Sequence, residues 1–272
     1  MSDASFLANE KSFIIGMVHC LPLPGTMGFD GDMKKIVNQA VADAKTLEKS
    51  GMDAIIIENM GDTPFGIKLD TAQVAALAAV SALVSKEVQL PVGIDAAMND
   101  YEAALSIAKA IGAGFVRIPV FVDTVEFYGG IIKPVAREAI LFRKNLGAEN
   151  IKILADIQVK HTHMVLTHVS VEDSAKAAAD CGADAIIVTG THIGIATPID
   201  IIRRVKSVIK LPVIAGSGVT TSNVKEQMEI ADGAIVGSSL KEGGRLENPV
   251  SLELCTGLIR ALRGQGAEGG RE

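Results

Sequence analysis

Six ionisable residues occur at the ends of short apolar runs, where a buried strand would place them at the edge of a sheet. The run KILADIQVK (residues 152–160) is the most informative, because alternation along a strand puts Leu154, Asp156, Gln158 and Lys160 on one face. Polar side chains on a buried face cost free energy unless they bind a ligand or one another. We therefore predict that this face carries catalytic groups. The same alternation in the other runs completes the predicted catalytic set: His19, Glu58, Asp95, Arg117, Asp156 and Lys160.

Two kinds of reaction remain open for this set. Glu58 or Asp156 would assist cleavage of a glycosidic bond by stabilising an oxocarbenium-like centre. Lys160 would instead form a Schiff base, or act as the base of an isomerase, epimerase or aldolase, if burial lowers its pKa. Asp156 and Lys160 are roughly 13 Å apart along an extended strand. We therefore expect Lys160 to face Glu58, Asp95 or the substrate, with Asp156 deeper in the fold.

These residues also have a structural interpretation. Asp156 and Lys160 would form an internal ion pair, and Arg117 would neutralise a carboxylate of the second or third run. His19 would be a hydrogen-bonded structural histidine. A protein built only for stability would place Val, Ile and Leu here, so the convergence of polar residues favours the functional interpretation.

Two glycine-rich segments predict an anion site. AGSGVTTSNV (residues 215–224) and AIVGSSLKEGG (residues 234–244) each read as a strand, a tight turn and a helix start. Glycine lets the backbone N–H groups approach an anion, and serine hydroxyls add donors. The alternative is that these glycines only form tight turns. If the loops do bind an anion, Lys241 would add positive charge. The predicted phosphate-binding residues are Gly216, Ser217, Gly218, Gly237, Ser238 and Ser239, and strand alternation places Thr189, Ser217 and Ser238 on the inward side.

The sequence indicates no required cofactor beyond a phosphate or sulfate anion in these loops. His161 and His163 form an H-x-H pair, but no carboxylate lies near them in the sequence. A divalent metal therefore has no support from ligand spacing.

Eight β-branched runs recur along the chain, each followed by a longer segment with helical periodicity. Each run is almost continuously apolar, as expected for a strand buried on both faces. Eight units in 272 residues give about 34 residues per unit, which is typical of a TIM barrel. The runs cover residues 13–19, 54–59, 91–96, 115–120, 152–160, 185–190, 212–218 and 233–240.

We predict a single (β/α)8 TIM barrel over residues 1–263, with a lead-in at 1–12 and a disordered tail at 264–272. A doubly wound open sheet is the main competing fold. It would need a glycine-rich nucleotide loop after the first strand, where this chain has the proline-rich HCLPLPG.

Composition and charge exclude several function classes. A net charge of −6 without a Lys/Arg block argues against nucleic-acid binding. No apolar run reaches the roughly 18–20 residues of a membrane span, and the N-terminus lacks a signal-peptide pattern. Three scattered cysteines fit a reducing compartment better than a disulfide framework. We therefore expect a cytoplasmic homo-oligomer with a small, phosphorylated substrate. With no Trp, two Tyr and eight Phe, we expect few aromatic side chains to be left for stacking platforms.

Several segments together resemble the BtpA family, which includes the SgcQ-like proteins. The resemblance covers about residues 12–262, and its first and third segments are quite specific. The segments are IGMVHCLPLPG (15–25), IENMGDTPFG (57–66), KILADIQVKH (152–161), IIVTG (186–190), VIAGSGVTTSNV (213–224) and DGAIVGSSLKEGG (232–244).

The resemblance implies two different roles. The family name implies photosystem I biogenesis, whereas the SgcQ-like members imply nucleosidase activity. The main hypothesis is an enzyme acting on a small phosphorylated sugar, ribosyl or nucleoside compound. The alternative is a non-enzymatic assembly factor for a membrane complex, which would present a large docking face.

The chain departs from the family pattern in three places. Asp95 replaces an expected Asn, RIPVFVDT (117–124) replaces a segment usually richer in His, Thr and Gly, and His192 occupies a usually small loop. These departures affect the third, fourth and sixth runs, so the resemblance leaves the substrate open.

Overall fold

Eight parallel strands close into a barrel in the computed structural model, which describes residues 4–9, 12–190 and 197–264. This confirms the predicted TIM barrel. Three further strands in the described ranges form a small antiparallel sheet. In chain order the strands are β1 (Phe13–His19), β2 (Ala54–Glu58), β3 (Val92–Asp95), β4 (Phe115–Ile118), β5 (Val125–Phe127), β6 (Gly130–Ile132), β7 (Lys152–Ile157), β8 (His163–Met164), β9 (Ala185–Val188), β10 (Val213–Ala215) and β11 (Gly233–Val236).

The barrel strands follow the order β1, β2, β3, β4, β7, β9, β10 and β11, and β11 pairs with β1 to close the ring. The small sheet has the order β6, β5, β8. Strands β5 and β6 belong to the segment after barrel strand β4, and β8 belongs to the segment after barrel strand β7, so the connections that follow two neighbouring barrel strands build this sheet.

Helices cover the outer faces of the barrel strands. Several begin at a residue that caps free N–H groups. Asp70 accepts from the backbone of Gln73, whose side chain accepts in return from the backbone of Asp70. In the described residues the α-helices are α1 (Phe6–Asn9), α2 (Met33–Lys49), α3 (Thr71–Glu87), α4 (Tyr101–Ile111), α5 (Ala136–Asn145), α6 (Val171–Asp180), α7 (Ile199–Lys206), α8 (Val224–Ile230) and α9 (Leu252–Arg263).

Aromatic rings and glycines fill the N-terminal end of the barrel. A Cβ on Gly233 would be 2.2 Å from the ring of Phe13, and one on Gly93 would be 2.1 Å from the ring of Phe115. The two glycines therefore make room for the two rings. Helix α1 closes this end, because Phe6 packs edge-on against Phe13 and Phe115 with centroids 5.1 and 5.7 Å apart.

Lys241 has a structural role, and the prediction that it adds charge to the anion site was wrong. Its side chain is completely buried, and its ammonium lies 2.6 Å from the carboxylate of Asp43 in α2. The other oxygen of Asp43 accepts from the backbone of Val250. The pair therefore ties α2 to the chain that leads into α9.

Some of the sequence-based predictions concern residues that the structure does not describe. This applies to His192 and to residues 265–272 of the predicted tail. Among the helices of the described ranges, none has the length and apolar character needed to cross a bilayer.

Candidate active site

A cavity of about 290 Å³ opens at the C-terminal ends of the barrel strands. This is the end at which enzymes with this fold carry out catalysis. Asp156 is fully buried and does not line the cavity. The other five predicted catalytic residues do line it: His19, Glu58, Asp95, Arg117 and Lys160.

Four of these residues form a row across neighbouring strands. The strand register pairs His19 with Glu58, then Glu58 with Asp95. It also pairs Asp95 with Arg117. Because all four occupy inward positions at the ends of β1 to β4, their side chains converge at the barrel mouth.

Arg117 joins two of the carboxylates. Its Nε and Nη2 donate to the two oxygens of Asp156, each at 2.8 Å. Its Nη1 lies 3.4 Å from Asp95. The carboxylates raise the pKa of Arg117 despite the opposing effect of burial, so the guanidinium keeps its charge. The suggested ion pair between Asp156 and Lys160 is absent, and Asp156 instead holds Arg117 in place.

Asp95 is a buried carboxyl group without a hydrogen bond to either oxygen in the described structure. Burial raises the pKa of Asp95 well above its usual range, and the neighbouring Glu58 adds to this. The protonated form is therefore favoured. A neutral carboxylic acid facing a cavity is suited to donate a proton or a hydrogen bond to a ligand.

His19 and Glu58 form a second pair, with Nε2 and Oε2 3.5 Å apart. Burial, with the positive charges of Lys241, Lys160 and Arg117, lowers the pKa of His19 to about 3. His19 is therefore neutral at physiological pH, and its Nδ1 has no partner among the described residues. Burial also raises the pKa of Glu58.

Lys160 reaches the cavity from the loop after β7. The strand ends at Ile157, and Gln158 has a φ of +45°, which breaks the alternation. The Gln158 amide donates to Val169 and Ser174 outside the barrel, so the prediction that it points inward was wrong.

The ammonium of Lys160 has no carboxylate within 4 Å in the described part of the chain, whereas its backbone N–H donates to the hydroxyl of Thr189. Burial lowers the pKa of Lys160, and the nearby Arg117 lowers it further. A lysine in this state has more neutral amine at a given pH than an exposed lysine.

The loops after β10 and β11 line the opposite side of the cavity. Ile214 and Ile235 point into the barrel, so alternation turns Gly216 and Gly237 inward. The assignment of Ser217 and Ser238 to inward strand positions was therefore wrong by one residue, although both line the cavity from the loops.

Some predicted anion-binding groups already have protein partners. The N–H of Gly216 donates to Val188, and the Ser217 hydroxyl accepts from Gly190. The Ser239 hydroxyl donates to Val219 and so connects the two loops. Other donors have no protein acceptor in the described structure, namely the N–H groups of Gly218, Val219, Gly237, Ser238 and Ser239.

An apolar wall, which the sequence analysis missed, completes the cavity. It is formed by Met60, Phe65, Met98, Phe127 and Tyr128. Three of the ten aromatic residues thus lie at one site, contrary to the expectation from composition. The signal was present in VEFYGGII (125–132), where two β-branched or aromatic runs flank a Gly-Gly pair and predict a hairpin.

The described residues contain no group of three or more His, Cys, Asp or Glu side chains that could hold a metal ion. Of the H-x-H pair, His161 lines the cavity and His163 lies in β8 with its side chain exposed.

Solved structures with a similar fold are TIM-barrel enzymes. (S)-3-O-geranylgeranylglyceryl phosphate synthase from Thermoplasma acidophilum, solved with sn-glycerol-1-phosphate, has a TM-score of 0.61 at 16% identity, covering 96% of this chain and 99% of that one. Thiamine phosphate pyrophosphorylase from Pyrococcus furiosus has a TM-score of 0.59 at 16% identity, covering 94% and 97%. At such low identity the likeness shows the fold alone.

Relatives at higher identity span the whole barrel. An uncharacterized protein of Pyrococcus furiosus is 40% identical over 261 residues, covering 96% of this chain and 97% of the relative. The photosystem I biogenesis protein BtpA of Synechocystis is 32% identical over 254 residues, covering 92% and 87%. The family profile described as "BtpA family" matches residues 10–264. The chain therefore belongs to the BtpA family.

Proposed function

We propose that this protein is an enzyme that acts on a small phosphorylated compound in the cavity at the barrel mouth, with Lys160 as base or nucleophile and Asp95 as acid. The observation that carries the proposal is a set of polar groups that line the cavity without a hydrogen bond to the described part of the protein. Both oxygens of Asp95 and Nδ1 of His19 belong to this set and are buried, and the ammonium of the half-buried Lys160 adds to it. Such groups are costly to a fold and are explained when a ligand engages them.

The protonation of these groups favours carbonyl chemistry over cleavage of a glycosidic bond. A cationic sugar centre needs an ionised carboxylate beside it. Burial raises the pKa of both Glu58 and Asp95, and Asp156 is occupied by Arg117. A lysine with a lowered pKa beside a neutral acid fits Schiff-base formation or proton transfer next to a carbonyl, as in an aldolase, isomerase or epimerase.

The loops after β10 and β11 support a phosphorylated substrate. Gly218, Gly237 and Ser238 line the cavity, and their N–H groups have no protein acceptor in the described structure. Backbone donors oriented toward a ligand bind anions. Loops after the seventh and eighth strands often bind phosphate in TIM barrels. The Thermoplasma enzyme of similar fold was solved with a glycerol phosphate.

The name of the Synechocystis relative gives a role in photosystem I biogenesis, and such a role would use a surface of the protein rather than this cavity. If this chain had that role, Lys160→Met would have no effect on its function. The enzymatic proposal predicts the opposite.

Borohydride trapping tests the proposal. The protein is mixed with small phosphorylated ketones and aldehydes, dihydroxyacetone phosphate and glyceraldehyde 3-phosphate, and reduced with sodium borohydride. Mass spectrometry should find the adduct on Lys160. The adduct should be absent in Lys160→Met and retained in a variant of the exposed Lys210, Lys210→Met.

Inorganic phosphate provides a second readout. It should raise the melting temperature as its concentration increases, because a ligand that binds only the folded state stabilises it. Gly218 has a φ of +65°, so Gly218→Ala should weaken the effect. The proposal fails if neither phosphate stabilisation nor an adduct or turnover that depends on Lys160 is found.

A further inference from the structure

We propose that the substrate carries an aromatic ring at the end remote from its phosphate, and that the apolar wall of Met60, Phe65, Met98, Phe127 and Tyr128 binds this ring. The inference rests on the proposed function, since it names the substrate class of the same cavity. It follows from where the barrel topology places the wall and from the way its side chains are held.

The part of the wall that follows β3 and β4 lies across the barrel mouth from the glycine-rich loops. In the ring of eight strands, β3 is four strands from β10, and β4 is four strands from β11. Met98 follows β3, and the hairpin with Phe127 and Tyr128 follows β4. An anion at the β10 and β11 loops and a ring at the wall would therefore be at opposite ends of one ligand.

The row of ionisable residues lies at the inner ends of β1 to β4, and its side chains point toward the barrel axis. Glu58, Asp95 and Arg117 end the strands β2 to β4 on the inner face, and Lys160 enters from the loop after β7. A ligand that spans the mouth thus presents its middle to the groups that transfer protons.

The aromatic side chains of the wall are fixed in advance. The hydroxyl of Tyr128 accepts from the backbone N–H of Phe65 at 2.8 Å. The rings of Phe127 and Tyr128 are 4.8 Å apart with an interplanar angle of 48°. A Cβ on Gly129 would be 2.3 Å from the ring of Phe127, so glycine there lets this ring lie against the turn. A preorganised slot of this kind loses little entropy when a ring enters.

The exposure of the wall indicates that a partner is missing. Tyr128 is 68% exposed, while Phe65 and Met98 are half-buried. Aromatic faces and thioether sulfur both interact favourably with a further aromatic ring, which gains more than its buried area alone. An alkyl chain would gain only the free energy of burying its apolar surface, so the wall favours a ring.

A series of phosphate esters tests the inference. The ligands are ω-phenylalkyl phosphates with linkers of two to six carbons, alkyl phosphates of matched length, and the corresponding phenylalkanols. Isothermal titration calorimetry measures their dissociation constants. We expect the best phenylalkyl phosphate to bind about tenfold or more tightly than its alkyl counterpart, with an optimum linker length set by the width of the mouth.

Variants of the wall identify the binding place of the ring. The preference for the phenyl group is the ratio of the dissociation constants of the alkyl and the phenylalkyl phosphate. Tyr128→Ala and Phe65→Ala should reduce this ratio to nearly one. Tyr128→Phe keeps the ring and should retain most of the preference. Ile131→Ala is the matched control, because Ile131 is exposed on the same small sheet and does not line the cavity. It should leave the preference unchanged.

The outcomes separate this inference from the proposed function. If alkyl phosphates bind and the phenyl group adds nothing, the inference is wrong and the proposed function stands. If no phosphate ester binds, the proposed function is in doubt, and phenylalkanol binding that Tyr128→Ala abolishes would still support the ring site. Equal loss of the preference in Ile131→Ala would overturn the assignment to the wall.

Discussion

Burial decides the protonation of the groups in the cavity before any ligand is bound. It is the largest cause of the pKa shifts of Asp95, His19 and Lys160. It favours the neutral form of each, since taking a charge out of water is costly. The guanidinium of Arg117 keeps its charge, because the carboxylate of Asp156 at 2.8 Å offsets the cost of burial. The site therefore combines a fixed ion pair with a carboxyl group, an imidazole and an amine whose neutral forms are favoured by burial.

Asp95→Asn should make the protein more stable at pH 8 and change its stability little at pH 4. In the unfolded chain an aspartate loses its proton near pH 3.9. In the folded protein the pKa of Asp95 is raised, so stability is lost as the pH rises from about 4 through the folded pKa. The variant removes this loss. Urea unfolding at both pH values measures the difference.

Asp156→Asn is the contrasting control for that experiment. It leaves Arg117 buried without its full partner and should cost about 3–5 kcal/mol at either pH. If Asp95→Asn destabilises the protein by a similar amount at pH 8, Asp95 is a charged structural group and the acid role is wrong.

Lys160 should react with acylating reagents at lower pH than the exposed Lys210 does. Only the neutral amine is nucleophilic, and the pKa of Lys160 is lowered by burial and by Arg117. Competitive labelling with acetic anhydride between pH 6 and 10, read by peptide mass spectrometry, gives the titration of each lysine. A midpoint for Lys160 at or above that of Lys210 would contradict the proposed role as base or nucleophile.

At the scale of the elements, the fit of rings against glycines determines how closely the strands pack. A methyl group on Gly93 would overlap the ring of Phe115 in the neighbouring strand. Helix α1 then covers this region through Phe6. Because these side chains pack the N-terminal end of the barrel, the C-terminal ends of the strands can carry polar groups.

Gly93→Ala should destabilise the protein by about 1–3 kcal/mol through overpacking. Adding Phe115→Leu to Gly93→Ala should recover part of this lost stability, because the smaller side chain removes the clash. Urea unfolding of the two single variants and the double variant gives the coupling energy. Gly257→Ala in α9 is the control, since nothing lies within 4 Å of its Cβ and alanine favours a helix. Additive effects of Gly93→Ala and Phe115→Leu would contradict the packing argument.

The sequence predicts the elements better than it predicts where they end. The eight runs and the inward positions of Glu58, Asp95 and Arg117 follow from local patterns of alternation, which a single sequence contains. The end of β7 does not, because the positive φ of Gln158 depends on its bonds to distant Val169 and Ser174. Lys241 was misassigned for the same reason, since its partner Asp43 is 198 residues away.

The whole molecule combines a barrel of buried strands with a small, partly exposed sheet at its mouth. All residues of β1 are buried, and they pair with strands on both sides. In the small sheet, two of the three residues of β6 are exposed, and the first residue of β8 is exposed as well. Such differences in burial and pairing produce differences in local stability within one domain.

Amide hydrogen exchange should resolve this difference. We expect the amides of β1, β2 and β7 to exchange only on global unfolding, because their opening would break the closed ring of strands. The amides of β5, β6 and β8 should exchange faster by local opening, with a weak dependence on low concentrations of denaturant. Mass spectrometry of peptides covering 125–132 and 152–157 compares the two regions. Equal protection of both peptides would show that the hairpin unfolds only with the barrel.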